Sequence, residues 1–161
     1  MAQPGSFPEP IKPAEAGKLQ CHAPDRAAKT CQSLASYRAL GDGVFENMAH
    51  VGLPTVPVTV MDVVSRVTIQ NGQVCGRIEQ ADLETARFTR NGVELSAAMT
   101  AEYRKRVAML YSSTMGHELC TAYEVDGEEL ITHPSIDGVA APEMSRRVIW
   151  VSPEDGYRVG G

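Results

Sequence analysis

No apolar run in the 161-residue chain approaches the roughly 20 residues that a membrane-spanning helix needs, which excludes a helical span. Positive charge is also short: 15 Lys and Arg stand against 20 Asp and Glu, for a net charge of −5. That balance argues against a nucleic-acid-binding surface as the main role. Cysteine is sparse. Four residues (Cys21, Cys31, Cys75 and Cys120) are too few for a disulfide-dense scaffold. No CxxC pair occurs, which removes thioredoxin-like and zinc-ribbon readings. GxGxxG, Walker, GxSxG and HExxH patterns are missing, and Gly41-Asp42-Gly43 is too short to cradle a phosphate. The N-terminus lacks a basic region followed by an apolar one, so the chain reads as either cytosolic or the mature form of an exported protein.

What remains is an ordinary globular composition, with 43% hydrophobic and 22% charged residues and enough length for a single domain with a real core. No internal repeat is visible. Charge is unevenly placed, with a net of +1 over residues 1–31 and −6 over the rest. Four of the ten prolines (Pro4, Pro8, Pro10 and Pro13) fall in the first thirteen residues. Proline removes a backbone donor and fixes φ, so residues 1–20 are expected to form an extended, mobile leader ahead of one domain at 21–161.

Local patterning predicts strands, one strong helix and more strands. Leu34, Tyr37 and Leu40 recur at helical spacing, suggesting a short helix over 28–40 that ends at Gly41-Asp42-Gly43. The stretch 44–53 is ambiguous. From Val58, Met61, Val63, Val67 and Ile69 alternate with Asp62, Arg66, Thr68 and Gln70, as in a half-buried strand. Asn71-Gly72 then predicts a type I′ hairpin that sets Ile69 against Val74 and Thr68 against Cys75. Asn91-Gly92 predicts a second hairpin, with Phe88 facing Leu95. Over 97–114 a stripe of Met99, Tyr103, Val107 and Leu110 predicts the main helix, capped by Ser96. A two-residue Asp126-Gly127 turn predicts a third hairpin, with Tyr123 opposite Leu130 and Cys120 opposite His133; Pro134 ends it. A last strand at 146–151 presents Val148 and Trp150 on one face. The expected fold is therefore α+β: a mostly antiparallel sheet of hairpins with one amphipathic helix packed on a face.

Several constellations bear on chemistry. Cys75 and Cys120 are candidates for a cross-strand disulfide, and Cys21 and Cys31 for a short one. Cys120 opposite His133 would put an imidazole near a thiol, as a thiol-dependent hydrolase or transferase requires. No oxyanion-hole motif or clear third partner accompanies the pair. His117, Cys120 and His133, with Cys75, resemble a zinc set only loosely, because residues three apart on a strand point to opposite faces. Asp126 to Glu129 lacks the alternating oxygen ligands of a calcium loop. Arg104, Lys105 and Arg106, with Arg146 and Arg147, read as solvated faces.

No cofactor or metal is implied. The reading that follows is a small exported domain, periplasmic or secreted and stiffened by disulfides. It acts by binding a protein or a small ligand held between helix and sheet. The alternatives are a thiol enzyme using Cys120 and His133, and a cytosolic α+β domain.

Overall fold

A computed structural model describes residues 6–160. The strands are β1 (Leu19–His22), β2 (Thr30–Cys31), β3 (Ser33–Gly41), β4 (Val44–Leu53), β5 (Thr59–Gln70), β6 (Gln73–Gly76), β7 (Arg87–Arg90), β8 (Val93–Glu94), β9 (Leu119–Asp126), β10 (Glu129–Ile136), β11 (Val139–Ala140), β12 (Arg147–Val151) and β13 (Arg158–Val159). Two α-helices, α1 (Gln80–Glu84) and α2 (Ala97–Leu110), lie between β6 and β9.

Eight strands close into an antiparallel barrel, which overturns the expected open sheet with a helix on one face. Around the wall the order is β1-β3-β4-β5-β6-β9-β10-β12, and β12 pairs back with β1, Gln20 opposite Trp150 and His22 opposite Val148. Neighbours on the wall thus follow each other in chain order. Closure removes the unpaired edges that an open sheet would leave. The β7–β8 hairpin extends the sheet from the first half of β5, and β2 and β13 form a separate parallel pair.

The helix expected over 28–40 is strand, and so is the ambiguous 44–53. Ser33, Ala35 and Tyr37 pair with Val51, Ala49 and Asn47, all on the inner face, while Leu40 is left exposed. The three-residue spacing of Leu34, Tyr37 and Leu40 mimicked a helix because the inward residues between them are small or polar.

The Asn71-Gly72 hairpin has the expected register, with Ile69 opposite Val74 and Thr68 opposite Cys75, and both turn residues take positive φ. In the third hairpin Asp126 pairs with Glu129 and Tyr123 with Thr132, a two-residue shift from expectation. There Gly127 takes the positive φ as the first turn residue, so Asp126 belongs to the strand. Nor does Pro134 end β10, which runs to Ile136. The Pro134 carbonyl accepts from the Ala141 N–H, so the missing proline N–H faces away from the β9 ladder.

Both ends of the barrel are capped. At one end, in place of the extended leader expected there, a 3-10 turn over Lys12–Ala16 buries Ile11 and Ala14 against Tyr37, Phe45, Val67 and Val74. Phe7 meets Phe45 edge-on at 5.0 Å. Proline stopped these residues from joining the sheet without stopping them from packing. Residues 1–5 of that leader lie outside the described residues. At the other end, Leu83 of α1 and Val107 of α2 pack with Leu53, Met61, Val63 and Phe88. The helix turns about its axis relative to expectation: Val107 is 2% exposed, but Leu110 is 67% exposed. Tyr103, Ala108 and Tyr111 complete the packed face. No helix among the described residues is long and apolar enough to cross a membrane.

Candidate functional site

An eight-stranded barrel has an interior just wide enough for side chains to fill. Here the middle layer is not filled. The inward positions at that level hold Ser33, Ala35, Ala49, Ser65, Gly76 and Thr121, and a cavity of about 240 Å³ remains between the two capping cores. Gly76 is required by close approach, since a Cβ there would lie 2.8 Å from the Arg66 carbonyl oxygen. The cavity therefore lies inside the barrel. Ile78, Leu83 and Tyr111 close it beneath the helices, with Arg77 at that rim. The Arg77 guanidinium donates to the Gly116 carbonyl.

One wall of the lumen is polar. Tyr37 Oη donates to Gln20 Oε1 over 2.8 Å, and His22 Nε2 lies 3.2 Å from the same oxygen. Burial, then the neighbouring Tyr123 phenol, raises the Tyr37 pKa well above the ordinary tyrosine range, so the hydroxyl keeps its proton. Burial, then the charge of Arg146, lowers the His22 pKa to about 4, so the imidazole is neutral near pH 7. Among the described residues, Arg77 is the one permanently charged side chain that lines the cavity.

Two lumen atoms are buried without a hydrogen-bond partner: Gln20 Nε2, a donor, and Asn47 Oδ1, an acceptor. Gln20 is 1% exposed. Both atoms lie behind the cavity surface, and the Tyr123 phenol adjoins the Gln20 amide. A further orphan, Arg104 Nε, lies outside this lining; its guanidinium donates to the Ala86 carbonyl.

No known protein family, curated protein or solved structure matches the chain.

The cysteines all lie on the outer wall or its flank. Cys75 faces Cys120 directly across β6 and β9 and is bonded to it, and Cys21 is bonded to Cys31. Both bonds fit an oxidising, periplasmic or extracellular setting. Cys120 has Ser135 rather than His133 opposite it, because of the register shift at Gly127. With its sulfur in a disulfide, Cys120 has no thiolate to offer His133, which corrects the pairing that a thiol hydrolase or transferase would need. His133 Nε2 lies 2.6 Å from Glu124 Oε2, opposite Ala122 in register. His117 Nδ1 lies 2.6 Å from Asp137 Oδ2. That hydrogen bond, followed by one from the Glu118 N–H, lowers the Asp137 pKa. The loosely zinc-like set is therefore dispersed into one disulfide and two separate His–carboxylate pairs.

The arginines Arg104, Arg106, Arg146 and Arg147 are likewise engaged locally. Arg106 pairs with Glu102, and Arg147 with Asp126 and Glu129. Sequence reasoning missed Gln20, Asn47 and the small residues around them. The available signal was the run of alternate small or polar positions at Ser33, Ala35, Asn47 and Ala49.

Proposed function

We propose that this is an exported binding protein whose barrel lumen takes up one small uncharged molecule. The observation that carries this reading is the cavity of about 240 Å³ inside the closed barrel, lined by small and neutral side chains apart from Arg77 at its rim. A cavity of 150 Å³ accommodates benzene, so proportion gives a ligand of about ten non-hydrogen atoms here. That size excludes long-chain lipids, nucleotides and tetrapyrroles. Apart from Arg77 at the rim, whose guanidinium is engaged by the Gly116 carbonyl, the walls are neutral and favour a neutral guest, because an ion deep in the lumen would lose its hydration without gaining a counter-charge. The two disulfides support export, since such bonds persist in oxidising compartments.

Acetophenone, a neutral probe of suitable size, should raise the melting temperature saturably by a few degrees. Benzoate, an anion of the same shape, should not. Ala49→Leu projects bulk into the lumen and should abolish the acetophenone effect while the circular dichroism spectrum stays native. Equal responses to both probes, or binding that survives Ala49→Leu, would overturn a lumen site.

A further inference from the structure

We propose that the guest enters and leaves the lumen through the side of the barrel, at a seam where β5 parts from β6. This rests on the lumen reading above and adds the route by which that site is loaded.

The pairing of β5 defines the seam. On one edge β5 is held by β4 along residues 59–68. On the other edge β6 holds only residues 67–70, and β7 holds only 59–62. Among the described residues, 63–66 have no strand on that edge, which leaves roughly 13 Å of wall at a rise of about 3.3 Å per residue. After Gly76 the chain leaves β5 and follows the segment before β9 instead. There the Gly116 N–H donates to the Ile78 carbonyl, and the Arg77 guanidinium donates to the Gly116 carbonyl.

A surface hollow lies at this seam and touches the successive residues 64–68 of β5. Side chains alternate between the two faces of a strand, so a hollow on the outer face alone would touch every second one. Contact with the whole run places the hollow at the open strand edge, where both faces are reached. Ser65, Val67, Gly76 and Arg77 border the hollow and the lumen cavity alike. Glu79, Asp82 and Glu118 also border the hollow, so it stays hydrated, and a neutral guest passes through it rather than resting there. The rival opening is a groove beside Val125 and Trp150, at the end capped by the Lys12–Ala16 turn. It shares Tyr123 alone with the cavity, and the packed cluster of Ile11, Tyr37 and Phe45 fills that end.

The test separates affinity from rate. Acetophenone affinity for the disulfide-intact protein is measured by calorimetry, and its exchange rates by magnetisation-transfer NMR. Val64 faces outward between the lumen-lining Val63 and Ser65, so Val64→Trp puts bulk in the hollow without reaching the cavity. Entry and exit should both slow roughly tenfold while affinity stays within about twofold, because an obstructed passage raises the barrier and leaves the bound state alone. Val125→Trp, in the groove at the capped end, should leave both rates unchanged. A second readout uses the wild type. Hexanophenone extends acetophenone by four carbons and exceeds the roughly ten non-hydrogen atoms that the cavity holds. Its tail should thread the seam and move the Val64 and Glu79 amide resonances relative to acetophenone, leaving those of Val125 and Trp150 in place. Rates unaffected by Val64→Trp, or slowed by Val125→Trp instead, would overturn the side entrance. So would hexanophenone that fails to bind, or whose tail marks Val125 and Trp150. In each of those cases acetophenone binding keeps the lumen reading. If acetophenone does not bind, both fall.

Discussion

His22 Nε2 sits 3.2 Å from Gln20 Oε1, two residues back along the same strand and on the same inner face of the barrel. The contact ties a titratable ring to the polar wall, and its consequence is a pH dependence with a definite sign. An ordinary histidine titrates near 6.5, whereas His22 in the fold titrates at about 4. Between those values the unfolded chain takes up a proton that the native barrel refuses. Stability should therefore decline as pH falls from about 6.5 to about 4, and this contribution should level off below that. Because His22 is half-buried, its share is about 1–3 kcal/mol rather than the full equivalent of the shift. Urea unfolding across that window, compared with His22→Gln, checks it: the variant should lose that part of the slope. Identical profiles would contradict a neutral, desolvated His22.

The two disulfides close loops of different size, with sequence separations of 45 for Cys75–Cys120 and 10 for Cys21–Cys31. Loop-closure entropy gives up to about 4 kcal/mol for the first and about 3 for the second. Replacing both Cys75 and Cys120 by Ala should lower the urea midpoint accordingly. Acetophenone affinity should be unchanged, because that bond lies on the outer wall.

Ile11 is fully buried in the cap formed by the Lys12–Ala16 turn. Ile11→Ala should cost about 2–4 kcal/mol in equilibrium unfolding, as expected for a truncated core side chain. A change within a few tenths of a kcal/mol would mean that the segment is not packed.

Orientation of α2 is tested by two aspartates. Val107→Asp places an unpaired carboxylate in the core with Leu83 and Phe88, and should cost several kcal/mol or unfold the domain. Leu110→Asp, on the exposed side, should stay within about 0.5 kcal/mol. Equal tolerance would contradict the packed face.

The hairpin at Asn71-Gly72 was legible because its residues accept the positive φ that the turn demands, and register follows from turn length. The Gly127 hairpin misled because one glycine satisfies more than one turn type, and moving it from second to first turn position shifts every pairing by two residues. On β3 and β4 the site itself erased the signal. Ser33, Ala35, Asn47 and Ala49 face inward but are small or polar, so the strands never showed the apolar alternation that marks a buried face.

Short stretches of residues sufficed for the Asn71-Gly72 turn, the strand character of 58–70 and the existence of the helix after Ser96. Each follows from a few adjacent residues through backbone sterics or periodicity. Closure was decided only in three dimensions. It depends on β12 returning to β1, Cys21 opposite Ile149, across almost the whole chain, and no local preference encodes which distant strand supplies the last partner. Enclosure follows from closure. Once the wall shuts, the small side chains at its middle level have nothing to fill the space between them, and Gln20 Nε2 and Asn47 Oδ1 are sealed away from water with a cavity between the caps.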